Sequence, residues 1–275
     1  MSRVGETTVF VGAMGTGKTR LLCERYKKDS DEGVKVLAVK PVLDDREGDD
    51  EHIISRVGTK VPCIALHTLD EIFEMDLSGI EKIYIDEVQF FDDVYEIECI
   101  FDLNMKGIDV EAYGLDLNSY AETFGEMGLL MARADSIFKV SNKCPRCKTH
   151  PIRFTAREGS ESDEIIVGDL DMYTPLCKPC YKEVMIDKVD KVLNEQILEK
   201  YGHSFPHSHL ENVTMLEEGK ALIELGDKDS DFHAKIIVDE AIIGLAGWTL
   251  EDVADIIDPD ALMRLIEEME SLKYE

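Results

Sequence analysis

The chain has 275 residues, and its 58 acidic residues against 30 basic ones give a formal net charge of −28. This charge argues against general binding to nucleic acid, where lysine and arginine must neutralise phosphates. An apolar fraction of 44% predicts a substantial core. No apolar run reaches the roughly 18 residues of a membrane span, and the N-terminus lacks a signal-peptide pattern. The composition predicts a cytoplasmic protein with neither nucleic acid nor membrane as a partner.

The first strand and helix are predicted to flank a phosphate-binding loop. Residues 12–19 read GAMGTGKT and fit G-x-x-x-x-G-K-[ST], a loop whose backbone N–H groups surround phosphate oxygens. A β-branched and aromatic run, Thr7–Val11, precedes the loop, and residues 19–26 have helical spacing. A helix that starts here directs its N–H groups and positive dipole end at an anion. Lys18 would reach the β- and γ-phosphates, and the Thr19 hydroxyl would bind Mg²⁺.

Residues 1–140 alternate between strand and helix patterns. Strands are predicted at residues 34–39, 63–66, 82–86 and 108–113, and helical segments at residues 69–75 and 94–105. Alternation of this kind is typical of βαβ units and a parallel sheet, with ligands bound at the carboxyl ends of the strands. We therefore expect an α/β nucleotide-binding domain over residues 1–140.

Two acidic residues, Asp86 and Glu87, follow one of these strands directly. An aspartate at this place in a phosphate-loop enzyme holds Mg²⁺, directly or through water. The neighbouring glutamate would then act as the base that takes the proton of an attacking hydroxyl. The alternative is a solvated acidic pair at a strand end, which is common in an acidic chain. The phosphate loop favours the functional interpretation.

Four of the seven cysteines form two C-x-x-C pairs. Cys144 and Cys147 make the first pair, and Cys177 and Cys180 make the second, with 29 residues between the pairs. This spacing predicts a structural zinc site with four thiolate ligands and no open position for chemistry. A redox-active dithiol is the alternative. We assign residues 141–200 to a small zinc-binding domain.

Residues 201–275 are predicted to form an acidic C-terminal extension. From residue 193 onward there are 20 acidic and 6 basic residues, a net charge of −14. Residues 221–225 have a strand pattern, Thr249–Asp252 resembles a capping box, and a helix is predicted from Asp258 to Leu272. These signals indicate a small folded appendage.

Six motifs in fixed order resemble the cytosolic-type (type II) thymidine kinases over about residues 5–185. The motifs are GAMGTGKT at 12–19, Lys40 with Asp44 and Arg46, DEVQFF at 86–91, YGLD at 113–116 with Phe124 and Gly125, Cys144 with Cys147, and Tyr173 with Cys177 and Cys180. The resemblance implies an α/β domain of the P-loop NTPase type, a small zinc-bearing domain and a lasso loop that closes over a nucleoside. It implies transfer of the ATP γ-phosphate to the 5′-hydroxyl of thymidine, with deoxyuridine as a further candidate, in a homotetramer.

The resemblance also implies roles for individual residues. Glu87 corresponds to the general base. The residues implied for ATP, its phosphates and Mg²⁺ are Gly12, Met14, Gly15, Thr16, Gly17, Lys18, Thr19, Asp44, Arg46, Asp86 and Gln89. The residues implied for the nucleoside are Met14, Phe90, Leu115, Phe124, Thr155, Val167, Gly168 and Tyr173. The sequence departs from the family at Asn118 and Ser119, where the family has an aromatic residue that contacts the base.

Two other classes of function remain open. One is a P-loop ATPase with a zinc ribbon that acts on nucleic acid, which the acidic composition and the lack of a basic stripe disfavour. The other is a non-catalytic nucleotide-binding regulator. The presence of Lys18, Thr19, Asp86 and Glu87 argues against that role.

Overall fold

The computed structural model describes residues 3–43, 51–119, 121–157 and 172–184. It also describes the backbone of three strands in the C-terminal region, Ser208–Met215, Lys220–Asp227 and His233–Asp239. The chain divides into two compact units, Met1–Cys180 and Tyr181–Glu275.

A six-stranded parallel sheet forms the centre of the first unit. Its strands, in chain order, are β1 (Thr7–Val11), β2 (Val36–Pro41), β5 (Ile64–Leu66), β6 (Lys82–Ile85), β7 (Asp109–Gly114) and β8 (Ser136–Lys139). Their order across the sheet is β5-β2-β6-β7-β1-β8. Strand β7 therefore lies between β1 and β6, so the carboxyl ends of these three strands are adjacent. The predicted α/β parallel sheet is confirmed.

Helices cover both faces of the sheet. Successive side chains of a strand point to opposite faces, so each central strand contributes residues to the core on each side. The helices are α1 (Lys18–Asp31), α2 (Val94–Met105) and α3 (Met127–Arg133), with 3₁₀-helices at Leu69–Glu74 and Val88–Phe90. On β1, Val9 and Val11 belong to the buried cluster that includes residues of α2 and α3. Phe10 points the other way and packs with Leu22 of α1. Helix α2 begins with a capping box formed by Asp93 and Glu96.

Two antiparallel hairpins complete the first unit. Strands β3 (His52–Ile54) and β4 (Lys60–Pro62) pair with each other, and Ile53 joins the cluster beneath α1. Strands β9 (Phe154–Arg157) and β10 (Tyr173–Leu176) pair in the same way. We call residues 141–157 and 172–180 the cysteine lobe, because they carry both C-x-x-C pairs.

The second unit contains a three-stranded antiparallel sheet. Strand β12 (Lys220–Asp227) lies between β11 (Ser208–Met215) and β13 (His233–Asp239), and the β11–β12 register shifts between Leu210 and Asn212. The predicted strand at residues 221–225 is therefore present and longer. The predicted capping box and the helix from Asp258 lie outside the described residues. No helix within the described part of the chain is long and apolar enough to span a membrane.

The predicted strands and helices of residues 1–113 occur with shifts of a few residues at their ends. The helix over 94–105 occurs with the predicted bounds, whereas α1 continues to Asp31, five residues beyond residue 26. Strands β3, β4, β8, β9 and β10 have no counterpart in the prediction. All five are only three or four residues long. Runs this short carry little periodicity, and pairing decides whether they become strands.

Candidate functional site at the carboxyl edge of the sheet

The phosphate loop connects β1 to α1 and lies at the carboxyl edge of the sheet. Gly15 and Gly17 have φ angles of 70° and 94°, which turn the chain back toward the helix. A Cβ atom on Gly12 would lie 2.3 Å from the carbonyl oxygen of Val140, so only glycine fits there. The Thr16 hydroxyl donates to the carbonyl oxygen of Ala13 at 2.8 Å. The loop is thus tightly wound and closed on itself.

Lys18 and Thr19 lie at the start of α1, as the sequence predicts. The Lys18 side chain folds back over the loop, and its Nζ donates to the carbonyl oxygens of Gly12 at 2.8 Å and Ala13 at 3.2 Å. Lys18 is buried, whereas Thr19 is half-buried on the first helical turn. This places an ammonium group among the backbone groups that would surround a phosphate.

Asp86 follows β6 immediately, and its carboxylate is buried. Its backbone N–H donates to the carbonyl oxygen of Val39 at 3.0 Å, which extends the β2–β6 ladder by one residue. The carboxylate acts electrostatically on Cys23, a residue of α1. Burial and the negative charge of Asp86 together raise the pKa of the Cys23 thiol to about 11.

Glu87 is buried and has a φ of 46°, in the left-handed region that a glutamate rarely adopts. Its carboxylate accepts a hydrogen bond from Nε2 of Gln89 at 2.6 Å. The other end of the same amide, Oε1 of Gln89, accepts from the backbone N–H of Leu115 at 2.9 Å. A Cβ on Gly114 would lie 2.7 Å from that Oε1, so the glycine leaves room for the amide. Gln89 therefore links the ends of β6 and β7 and directs the Glu87 carboxylate.

The aromatic and apolar residues predicted for the nucleoside border this edge of the sheet. The rings of Phe90 and Phe124 pack edge to face with centroids 5.7 Å apart. Met14 in the phosphate loop is tied to the cysteine lobe, because its backbone N–H donates to Oγ1 of Thr155 at 3.1 Å. Tyr173 lies at the start of β10 on the hairpin that carries Thr155. The structure thus brings Met14 and Thr155 together, and Phe90 with Phe124.

The four cysteine thiols converge. The Sγ atoms of Cys144, Cys147, Cys177 and Cys180 all lie within 4.8 Å of one another, with Cys147 and Cys177 at 3.6 Å. Zn–S bonds of about 2.3 Å in a tetrahedron place sulfur atoms about 3.8 Å apart, so the four thiols fit a structural zinc ion. Backbone N–H groups of His150 and Thr149 lower the pKa of the Cys147 thiol, whereas burial raises the pKa of Cys177 and Cys180. Metal binding requires all four thiols to be deprotonated, so zinc binding would release protons.

Four predicted site residues lie outside the described residues. These are Asp44 and Arg46, assigned to phosphates, and Val167 and Gly168, assigned to the lasso. Their roles stay predictions.

Several residues at the site are not singled out by the sequence reasoning. Nδ2 of Asn142, in the cysteine lobe, donates to the carbonyl oxygen of Thr16 at 3.0 Å. Asp116 follows β7, and its Oδ2 accepts from Lys139 at 3.1 Å and lies 2.8 Å from a guanidinium nitrogen of Arg153. Asp116 lies within the YGLD motif, which is a signal for that residue. Asn142 has no signal in the sequence because its partner lies 126 positions away.

A parallel sheet with a glycine-rich phosphate loop after its first strand and a buried acidic pair after a neighbouring strand defines a nucleotide-binding protein of the P-loop class. The thymidine kinase family profile matches residues 5–181 of the chain. The chain belongs to the thymidine kinase family, and the resemblance in the sequence is confirmed.

Named relatives agree with this assignment. The thymidine kinase of Mycoplasma mobile is 37% identical over 183 residues, which cover 65% of this chain and 88% of the relative. A thymidine kinase of Mesomycoplasma hyopneumoniae is 35% identical over 64% of this chain and 95% of the relative. The thymidine kinase of Oryza sativa subsp. japonica is 33% identical over 66% of this chain and 68% of the relative. The chain is therefore an enzyme of the kinase class.

Proposed function

We propose that the protein transfers the γ-phosphate of ATP to the 5′-hydroxyl of thymidine, with deoxyuridine as a second substrate. The observation that carries this proposal is the position of Glu87. Its buried carboxylate, directed by Gln89, lies at the end of β6, and β7 separates that strand from β1 and the phosphate loop. A base and a phosphate cradle at one edge of a sheet suit transfer to a hydroxyl.

In the proposed reaction, Glu87 accepts the proton of the 5′-hydroxyl as the oxygen bonds to the γ-phosphorus. The bond between the γ-phosphorus and the β,γ-bridging oxygen breaks, and ADP leaves. Lys18 and the backbone N–H groups of the loop stabilise the negative charge on the phosphoryl oxygens. The left-handed backbone of Glu87 is consistent with this role, since strained residues persist at sites where orientation matters.

Mg²⁺ would be held by the Thr19 hydroxyl and the Asp86 carboxylate, an oxygen donor pair that suits this hard cation. When bound, the ion would neutralise phosphate charge. Asp44 and Arg46 are assigned further phosphate contacts. The nucleoside base would lie among Met14, Phe90, Leu115, Phe124, Thr155 and Tyr173, beneath the lasso that carries Val167 and Gly168.

The four cysteines would hold a structural zinc ion that joins the two segments of the cysteine lobe. The hairpin between them carries Thr155 and Tyr173, so the metal would fix residues of the nucleoside pocket. Metal analysis of the purified protein tests this assignment. We expect one zinc per chain, and loss of the metal in Cys177→Ser.

The remaining proposals follow the family resemblance. They are a cytoplasmic location and a homotetramer. Light scattering of the purified protein would test the homotetramer.

The deciding experiment measures ADP release by the purified protein with thymidine, with deoxyuridine, with DNA and with no acceptor. We expect release that depends on thymidine, together with formation of the nucleoside 5′-monophosphate. ATP hydrolysis that DNA stimulates and thymidine does not would contradict the proposal and favour a nucleic-acid ATPase. ADP binding without any turnover would favour a non-catalytic regulator.

A further inference from the structure

The cysteine lobe holds the phosphate loop at two points. Residues 14–16 form the outer part of the loop, which we call the loop arch, and Gly15 at its centre is exposed. On one side of the arch, the Met14 N–H donates to Oγ1 of Thr155. On the other side, the Thr16 carbonyl oxygen accepts from Nδ2 of Asn142. The cysteine lobe therefore forms a hydrogen bond with each end of the loop arch.

The contact of Asn142 determines the orientation of a particular peptide group. The bond between Thr16 and Gly17 is trans, as are all peptide bonds among the described residues, so its C=O and N–H point in opposite directions. A hydrogen bond that draws the carbonyl of Thr16 toward the lobe therefore turns the Gly17 N–H away from the lobe. We propose that Asn142 is a positioning residue of the phosphate loop, which aims the Gly17 N–H at the nucleotide phosphates.

Asn142 is itself held in place by the base of the cysteine lobe. Its carbonyl oxygen accepts from the backbone N–H of Ile152 at 2.8 Å, and the Ser141 hydroxyl donates to the carbonyl oxygen of Ile152 at 2.8 Å. Val140, two residues before Asn142, donates its N–H to the carbonyl oxygen of Val11 at the end of β1 at 2.7 Å. Asn142 thus lies at a hydrogen-bonded junction between the sheet and the lobe, two residues before Cys144.

The chemistry of an amide suits this position. Its N–H donor satisfies a carbonyl oxygen without adding a charge to the loop. A carboxylate of the same shape would have no proton to donate to the Thr16 carbonyl when ionised, and its charge would repel phosphate. Because a side chain of the cysteine lobe completes the loop, the lobe contributes to the ATP half of the site as well as to the nucleoside half.

The inference rests on the proposed function only in assuming that the loop binds ATP, so its test measures nucleotide binding directly. Calorimetric titration of Mg·ADP compares wild type with Asn142→Ala and with the isosteric Asn142→Asp. Loss of one hydrogen bond of this type should weaken ADP binding about threefold to tenfold in Asn142→Ala. Asn142→Asp should weaken it further. Wild type that binds no ADP would instead refute the phosphate site of the proposed function.

A matched control variant, and separate KM values for ATP and thymidine, distinguish positioning of the phosphate loop from a general loss of structure. Thr149→Ala keeps the backbone N–H beside Cys147 and removes only a side-chain hydrogen bond of the same lobe, from Oγ1 to the carbonyl oxygen of Cys147 at 2.9 Å. This variant should retain zinc and bind ADP as wild type does. In the Asn142 variants the KM for ATP should rise, while the KM for thymidine and the zinc content stay unchanged. An unchanged ADP affinity in both Asn142 variants overturns the inference. Equal rises in both KM values, or a Thr149→Ala variant that weakens ADP binding equally, also overturn it.

Discussion

One buried glutamate lies on β7 and another lies just past the end of the neighbouring strand β6, at different places relative to the site. Glu111, on β7, is 3% exposed and accepts hydrogen bonds from Arg25 at 2.7 and 2.5 Å, from Lys82 at 3.2 Å and from the Tyr113 hydroxyl at 2.8 Å. Glu87, just past the end of β6, is 7% exposed, and a neutral amide directs its carboxylate. The Glu111 carboxylate lies on the face of the sheet that α1 covers, and the Glu87 carboxylate lies at the carboxyl edge of the sheet.

The difference shows what makes a buried carboxylate structural or chemical. Burial alone would raise the pKa of Glu111, but the hydrogen bonds of Arg25 and Tyr113 and the charge of Lys82 outweigh it and lower the pKa. A carboxylate neutralised in this way is a poor base. The amide of Gln89 donates to Glu87 and fixes the direction of its carboxylate at the carboxyl edge of the sheet.

The largest effect is expected for Glu87→Gln. The amide keeps the shape but cannot accept the hydroxyl proton, and general-base catalysis typically supplies about 10²–10⁴-fold in rate. We expect kcat to fall within this range, while binding of ADP and of thymidine persists. Steady-state kinetics and calorimetry measure the two quantities. A kcat within about threefold of wild type would remove Glu87 as the base.

The matched variant Glu111→Gln should change stability instead of kcat. Removing the charge leaves Arg25, whose side chain is 43% exposed, without its carboxylate partner, whereas Lys82 keeps its ion pair with Asp29. We therefore expect a loss of about 1.5–3 kcal/mol, the range for a hydrogen bond to a charged group. Urea unfolding at pH 7 measures the loss, and assays below the unfolding transition should give a wild-type kcat. A large fall in kcat in the folded variant would contradict the assignment of a structural role to Glu111 and a catalytic role to Glu87.

The stability difference between wild type and Glu111→Gln should depend on pH. Because the pKa of Glu111 is lowered in the folded protein, its contribution is fully present above the unfolded value of 4.5. The contribution is lost as the pH falls through the lower, folded pKa. Unfolding curves measured from pH 7 down to pH 3 should therefore converge. Curves that diverge on acidification would contradict the assigned direction of the pKa shift.

A smaller effect is expected for Gly114→Ala, which tests how strongly Glu87 depends on its amide. The added methyl group would lie 2.7 Å from Oε1 of Gln89, so the amide must move and the Glu87 carboxylate with it. Because a misplaced base is less effective, we expect kcat to fall about tenfold, with the KM for ATP little changed. A kcat equal to that of wild type would show that Gln89 does not position Glu87.

The smallest effect is expected for the pKa of the Cys23 thiol, which responds to the charge of Asp86. Burial, and then the charge of Asp86, raise the pKa of its thiol to about 11, so the thiol is protonated at neutral pH. The titration of the Cys23 thiol, followed between pH 8 and 11 by the NMR signal of its Cβ, should shift to lower pH in Asp86→Asn, because one of the causes that raise the pKa is removed. Glu111→Gln should leave the profile unchanged. Equal shifts in both variants would mean that Cys23 does not distinguish the two carboxylates.

Much of the site could be predicted because its signals are local in the sequence. The phosphate loop occupies eight consecutive residues, the acidic pair follows one strand, and each cysteine pair forms a single turn. The geometry that relates these parts is not local. The left-handed backbone of Glu87 has no sequence signal, because glutamate is not a residue type that favours this conformation. The short strands β8, β9 and β10 were missed for the related reason that pairing partners define them.

By itself, the sequence determined the class of the fold, the family and the chemical groups available at the site, since these depend on residue types at short spacing. Only the tertiary structure decided which groups work together. The link from Gln89 to Leu115 depends on the register of β6 and β7, and that from Asn142 to Thr16 depends on how β8 leads into the cysteine lobe. Hydrogen bonds need donor and acceptor within about 3 Å, and only the packed chain brings residues this distant in sequence so close.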